Sequence, residues 1–468
     1  MASHLEDDKS LVAATHVCHL WRTALLSSPR LWSYLDFDYE KRAMVFLERS
    51  KSSPVTVDFT ESKNLSEVVR RTLKKITSKV AKLRVSHDFF LDELLAQPMP
   101  ELEELEIIDS DELPREKPAH LPSLTSLTIY GFDTLWFHTP ILTSLHLIRD
   151  PARGSREWTT AIFLAFLQSC PLLEVVFLSC DDPDTSPDSD DVVSLPLLCS
   201  FTHESPRDRY PLYLLDRLSL PPTCRVVLTI DVPERNPDPW IPGLPTPRNL
   251  FYLSDIRTVK IAARFTMDYG TPSVAFKIEL TNSTHGTISF DRTSSYSNDP
   301  SDFSDKGLLE ILESIEIDSV ETLCFDKYPL PRHDQPWAAT TLITQVLRKS
   351  KNFKTLILAD DTTKSLNLLP RCPSVDTHFV YYWPRTRSSY NDRVVNLLQE
   401  SAELWKKAGF PLKTLTLVPQ LVEPRPSELE RLRGCVGWVK VARGYNALSW
   451  HTDKYLLAIA NEDNANRS

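Results

Sequence analysis

Apolar residues return along this chain at positions 1, 4 and 6 of a short motif. Val80, Leu83 and Val85 make one instance, followed by Leu102, Leu105, Ile107; Leu124, Leu127, Ile129; Leu142, Leu145, Leu147; and Leu173, Val176, Leu178. Their first members are 22, 22, 18 and 31 residues apart, and proline stands two before the first member at Pro100, Pro122, Pro140 and Pro171. The pattern continues less cleanly through Ile256, Val259, Ile261; Val320, Leu323, Phe325; Phe353, Leu356, Leu358; and Leu412, Leu415, Leu417. Positions 4 and 6 share one face of a strand and position 5 takes the other. Such a strand cannot bury its apolar face alone, but parallel stacking of successive strands builds one core.

This spacing is the L-x-x-L-x-L strand signature of a leucine-rich repeat. It predicts an α/β fold: an irregular solenoid of short parallel strands with helical or irregular returns. Position 9 carries Asp88, Ser110, Phe132, Asp150 and Asp181 rather than the usual Asn or Cys, so the repeat is degenerate. Ordinary α/β strands preceded by prolines are the alternative. Other segments break the rhythm. Val274, Phe276, Ile278 and Leu280 alternate, a turn region follows at 282–286, and Ile288 and Phe290 resume, which reads as a β-hairpin near 273–291. Asn391 to Lys407 reads as an amphipathic helix. Residues 181–191 (DDPDTSPDSDD) form an acidic insertion, and the tail after Tyr455 is expected to fray.

Composition narrows the function. The formal charge of −10 opposes binding to nucleic acid or to an anionic membrane. Ten glycines in 468 residues leave no phosphate-cradling loop; the closest pair, Gly434 and Gly437, has no third glycine behind it. No apolar run reaches the ~20 residues of a spanning helix, and MASHLEDDKS is not a signal peptide. The eight cysteines are scattered singly, without C-x-x-C, and read as reduced, buried thiols of a cytoplasmic or nuclear protein. Asn282-Ser-Thr matches a glycosylation sequon by chance. His16, Cys18 and His19 lack a second ligand pair for a metal, and neither H-E-x-x-H nor G-x-S-x-G occurs. No catalytic residue, cofactor or metal is expected. Trp136 and Phe137 are read as core or turn residues, with binding the less favoured alternative.

The N-terminal segment carries the functional clue. Leu11, Ala14, Val17, Cys18, Trp21, Ala24 and Leu25 follow helical spacing up to Ser27-Ser28-Pro29, and Trp32 follows the proline. Val17-Cys18-His19-Leu20-Trp21-Arg22 with Ser28-Pro29-Arg30-Leu31-Trp32 resembles the second half of an F-box. Asp36-Phe37 and residues 47–55 resemble the stretch joining the F-box to degenerate leucine-rich repeats in fungal F-box proteins. An F-box opens with a helix like L-P-x-E-I-L, which Met1 to Lys9 lacks, so the resemblance is to an F-box truncated at its N-terminus and with a reduced adaptor contact.

The resemblance implies a non-catalytic, substrate-recognising subunit of an SCF-type (cullin-RING) ubiquitin ligase. It would bind a Skp-type adaptor through Leu11, Val17, Leu20, Trp21, Leu31 and Trp32, and a target protein through the repeats. It implies three parts: F-box-like helices over 1–50, a repeat array over 51–422, and a partly flexible extension over 423–468. A repeat module without a ligase link and, more remotely, an α/β enzyme are the alternatives.

Overall fold

The computed structural model describes residues 8–59, 65–86, 90–108, 121–131, 139–148, 160–179, 192–205, 214–215, 217–232, 255–268, 271–295, 319–327, 354–359, 378–383, 390–407, 409, 411–419 and 424–441. The protein is mixed α/β, its strands mostly parallel. It divides into two compact units, residues 1–253 with 284–294, and residues 254–283 with 295–468.

The first unit begins with two short helices, α1 (Asp8–Ala14) and α2 (His19–Leu26). Strand β1 (Tyr34–Asp36), helix α3 (Glu40–Ser50) and β2 (Val55–Phe59) follow. Helix α4 (Glu67–Ile76) starts where the Ser66 hydroxyl accepts the Val69 N–H at 3.3 Å. Glu67 in its first turn and Lys74 and Lys75 in its last complement the helix dipole, while Val69 and Leu73 face inward. Next come β3 (Val80–Ser86), α5 (Phe90–Leu95), β4 (Glu104–Ile108), β5 (Ser126–Tyr130), β6 (Ser144–Ile148), α6 (Thr160–Gln168) and β7 (Val175–Ser179). The unit is completed by β8 (Val193–Ser194), β9 (Ser200–Ser205), β10 (Leu218–Ser219), β11 (Arg225–Val232) and a late strand, β14 (Thr287–Ser295).

Every pairing in the ladder β1-β2-β3-β4-β5-β6-β7-β9-β11-β14 is parallel. The strands β8 and β10 pair apart from it. Register places the position-4 residues in one row: Leu35, Val57, Leu83, Leu105, Leu127, Leu145, Val176, Phe201, Val226 and Ile288. All of these are buried, as is the position-6 row from Phe59 to Phe290. All fifteen residues of the five clean motifs, Val80 to Leu178, are therefore core.

The prolines have a structural reason. In four rungs the position-1 N–H closes a turn onto the residue three back: Leu102 on Met99, Leu124 on Leu121, Leu142 on Thr139 and Leu173 on Cys170, at 3.1–3.3 Å. Proline is the second residue of each turn, where its fixed φ is pre-set and no donor is needed. Leu198 on Leu195 repeats the device with Pro196. Two rungs absent from the motif series therefore belong to it. Trp32, Leu35 and Phe37 occupy positions 1, 4 and 6 beside β1, and Leu198, Phe201 and His203 do so at β9; all six are buried.

The second unit holds β12 (Ile256–Asp268), β13 (Thr271–Asn282), β15 (Thr322–Lys327), β16 (Thr355–Ala359), β17 (His378–Trp383), helix α7 (Tyr390–Lys407), β18 (Thr414–Pro419), helix α8 (Pro426–Arg433) and β19 (Trp438–Val441). Strands β12, β15, β16, β17, β18 and β19 pair parallel in that order. Strand β13 lies antiparallel on β12, with Asp268 opposite Thr271. The alternating segment is the strand β13, and β14 begins after the expected turn and runs parallel to β11. Of the apolar residues at helical spacing in α7, Val394, Leu398 and Trp405 are buried and Leu397 is half-buried, whereas Leu404 is exposed; Val395 and Ala402 are buried as well. Helix α8 opens with Pro426 and with the Arg425 N–H on the Glu428 carboxylate at 2.6 Å, and lies against α7 through Arg431 and Asn396. Residues 424–441 contribute α8 and β19, which pairs with β18; residue 423 and residues 442–468, with the tail after Tyr455, lie outside the described residues.

One glycine is required by close approach. A Cβ on Gly437 would stand 2.9 Å from the Lys413 carbonyl oxygen, where β19 meets β18. Gly437→Ala is expected to cost about 1–3 kcal/mol by overpacking, read as a lower midpoint in urea denaturation.

Candidate interaction site

The six residues assigned to adaptor contact separate into two groups. Leu11 and Trp32 are buried and Leu31 is half-buried. Val17, Leu20 and Trp21 are 66%, 75% and 53% exposed. Trp32 is therefore a structural anchor rather than a contact residue: it opens the first rung, stacks edge-on to Phe46 at 5.0 Å, and lies under the Arg49 guanidinium at 4.4 Å.

Helix α2 is held at both ends. Cys18 caps its start, the sulfur accepting the Trp21 N–H at 3.5 Å. At its end the Trp32 indole N–H donates to the Leu25 carbonyl at 2.9 Å, and the Ser27 and Ser28 hydroxyls donate to the Ala24 carbonyl at 2.9 and 2.8 Å. No residue of α2 is buried. An eight-residue helix is too short to persist alone in water, so the buried tryptophan and the caps position it while its apolar side chains meet solvent. Adjacent exposed apolar residues of this size mark an interaction surface.

The face of the ladder opposite the core is organised by charge. The Tyr34 hydroxyl donates to Asp58 at 2.8 Å, Arg84 reaches Asp58 at 3.2 Å and Glu106 at 2.8 Å, and Lys82 meets Glu104 at 2.6 Å. Burial, then the bond to Asp58, pushes the Tyr34 phenol up, and the Glu106 bond raises the Arg84 guanidinium. Asp36 pairs with Arg42 at 2.6 Å, yet burial holds its carboxyl above the usual range. Across β5, β6 and β7 the same face turns neutral, with Thr128, His146 and Phe177 in register. The His146 and Phe177 rings lie 5.6 Å apart, and burial lowers the His146 pKa.

His16, Cys18 and His19 are exposed, and among the described residues no group of three His, Cys, Asp or Glu side chains forms a metal site. The expected burial of thiols holds for Cys170, Cys224 and Cys324 but not for Cys18 and Cys199, which are exposed, nor fully for Cys435, which is half-buried. Cys180, Cys372, Trp136, Phe137 and the acidic insertion at 181–191 lie outside the described residues. Among the described residues no helix is long and apolar enough to cross a membrane. No family model matches the chain, and no curated protein matches it either.

Proposed function

We propose that this chain is a substrate-recognising F-box subunit of an SCF-type ubiquitin ligase, in which α2 docks on a Skp-type adaptor and an irregular leucine-rich-repeat solenoid presents a target protein. The observation that carries the reading is α2 with the turn ahead of it: Leu20 and Trp21 on the helix and Val17 just before its cap face solvent, and no residue of the helix is fully buried. It stands directly ahead of a parallel array whose position-4 residues stay in register over ten strands. A buried aromatic is the typical anchor of a protein interface, and Trp21 is the aromatic that α2 exposes and that docking would bury. The chain performs no chemistry in this reading. It acts in the cytoplasm or nucleus by raising the concentration of target lysines near a charged conjugating enzyme.

Co-purification of the full chain with a Skp-type adaptor and its cullin is the test. Trp21→Ala is expected to weaken adaptor capture at least about tenfold, the loss of a hot-spot residue. Its thermal midpoint should stay within a few degrees of wild type, since the side chain is half exposed. Failure of the wild-type chain to capture any adaptor overturns the proposal and leaves a repeat module without a ligase link.

A further inference from the structure

The start of β11 departs from the regular rungs and sets two cysteines on adjoining strands. In the regular rungs, two N–H groups converge on one carbonyl of the preceding rung: Thr125 and Ser126 on Glu103, Thr143 and Ser144 on Thr125, Cys199 and Ser200 on Glu174. At β11 only the Arg225 N–H reaches back, to the Cys199 carbonyl at 2.9 Å, while the Cys224 N–H closes the turn onto Pro221 at 3.0 Å. This rung is one residue shorter than its neighbours. Cys224 closes the turn as position-1 leucines do, yet by register it stands opposite Cys199, because Arg225 pairs with Ser200 and Val226 with Phe201.

That shortening explains why one thiol is buried and the other exposed. It also places them on adjoining strands, about 4.8 Å apart in a sheet, inside the Cα separation a disulfide spans. The Cys224 thiol donates to the Arg225 carbonyl at 3.7 Å, at the start of β11. The Cys199 thiol rests on the Leu197 carbonyl at 3.5 Å, a contact that rotation about its own side chain releases.

We propose that Cys199 and Cys224 form a reversible disulfide, a thiol-modification site at the start of β9 and β11 that responds to small-molecule disulfides such as oxidised glutathione. The exposed Cys199 reacts first. Its thiolate attacks one sulfur of the small disulfide, the S–S bond breaks, and one small thiol leaves carrying the proton Cys199 gave up. Cys224 then loses its proton and attacks the Cys199 sulfur of the mixed disulfide, releasing the second small thiol. Two protein thiols are oxidised by two electrons, and one small disulfide is reduced to two thiols. The second step is the slow one. Burial, with the neighbouring Cys199 adding to it, pushes the Cys224 thiol up to about 12, so little thiolate is present at neutral pH. The closed form ties β9 to β11, which residues 206–224 separate in sequence. This site stands independently of the adaptor reading, since it concerns the middle of the array and not α2.

The test is titration of the full-length chain with oxidised glutathione, followed by non-reducing peptide mapping by mass spectrometry. The expected result is a Cys199–Cys224 cross-link that appears after a transient glutathione adduct on Cys199 and is removed by dithiothreitol. The cross-linked form should melt about 5 °C or more above the reduced chain, from the constraint on its unfolded state. In Cys224→Ser the Cys199 adduct should persist. A wild-type chain in which the adduct on Cys199 persists with Cys224 free, or in which Cys199 pairs with another cysteine, overturns the proposal. Because the map is made on the unaltered protein, the conclusion does not depend on whether the variant folds.

Discussion

Trp32→Ala is expected to lower the stability of the first unit by about 3–5 kcal/mol, the range for removing a buried aromatic from a core. The indole is fully buried, so nothing refills its volume without moving Phe46, Arg49 or the start of β1. Its N–H also holds the Leu25 carbonyl at the end of α2, so the substitution loosens that helix as well as opening a cavity. Urea denaturation of wild type, Trp32→Ala and Trp21→Ala checks this. Trp21→Ala should cost less than about 1 kcal/mol, as for an ordinary surface position. Equal costs at the two tryptophans would show that the division between anchor and exposed surface drawn here is wrong.

Acid should destabilise the first unit through His203. This side chain stands in the position-6 row between Leu178 and Leu228 and is fully buried. Desolvation pulls its pKa down to about 3 from 6.5, so it is neutral in the folded protein at every ordinary pH. An unfolded chain takes up a proton on this histidine below its unfolded pKa, whereas the folded chain does not. Stability is therefore highest above pH 6.5 and falls as the pH drops toward 3, below which no further loss comes from this group. At about 1.36 kcal/mol per pH unit, the share lost between pH 7 and pH 4.5 is about 3 kcal/mol. His203→Leu continues the leucine row and removes that share. Denaturation of both proteins at the two pH values gives the answer, because carboxylate titrations common to both cancel in the difference. A variant that loses as much stability as wild type would refute the assignment.

Much of the strand architecture is legible in the sequence because its spacing is physical. A 1-4-6 pattern of aliphatic residues cannot be buried by one short strand, and the five clean examples all become core. One rung, Cys224-x-Val226-x-Leu228, escapes because it is one residue short, and others escape because their core residues are not all aliphatic. Trp32-x-x-Leu35-x-Phe37 carries the same spacing with aromatics, and Leu198-x-x-Phe201-x-His203 ends on a histidine that reads as polar until its burial is known. The proline two residues ahead of Leu198 was the available signal for the second. The pairing of β13 was hidden for a different reason. Alternation along Val274 to Leu280 announces a strand but not which neighbour it takes, and β12 satisfies the 1-4-6 pattern at Ile256, Val259 and Ile261 while running on to Asp268. The candidate site divides likewise. Helical spacing places Leu11 and Trp21 on one stripe, but the chain breaks between α1 and α2, and only the three-dimensional arrangement decides which of them turns inward.

The late arrival of β14 bears on how the protein can be cut. The first unit is discontinuous: its last strand, Thr287–Ser295, comes from beyond the stretch at 254–283 that belongs to the second unit. A fragment ending at residue 253 would look complete by its leucines, yet it would leave Val226 and Leu228 without Ile288 and Phe290 beside them and would bare the hydrogen-bonding edge of β11. Such an edge invites intermolecular pairing. A fragment meant to stand for this unit must therefore carry the chain through the excursion and back.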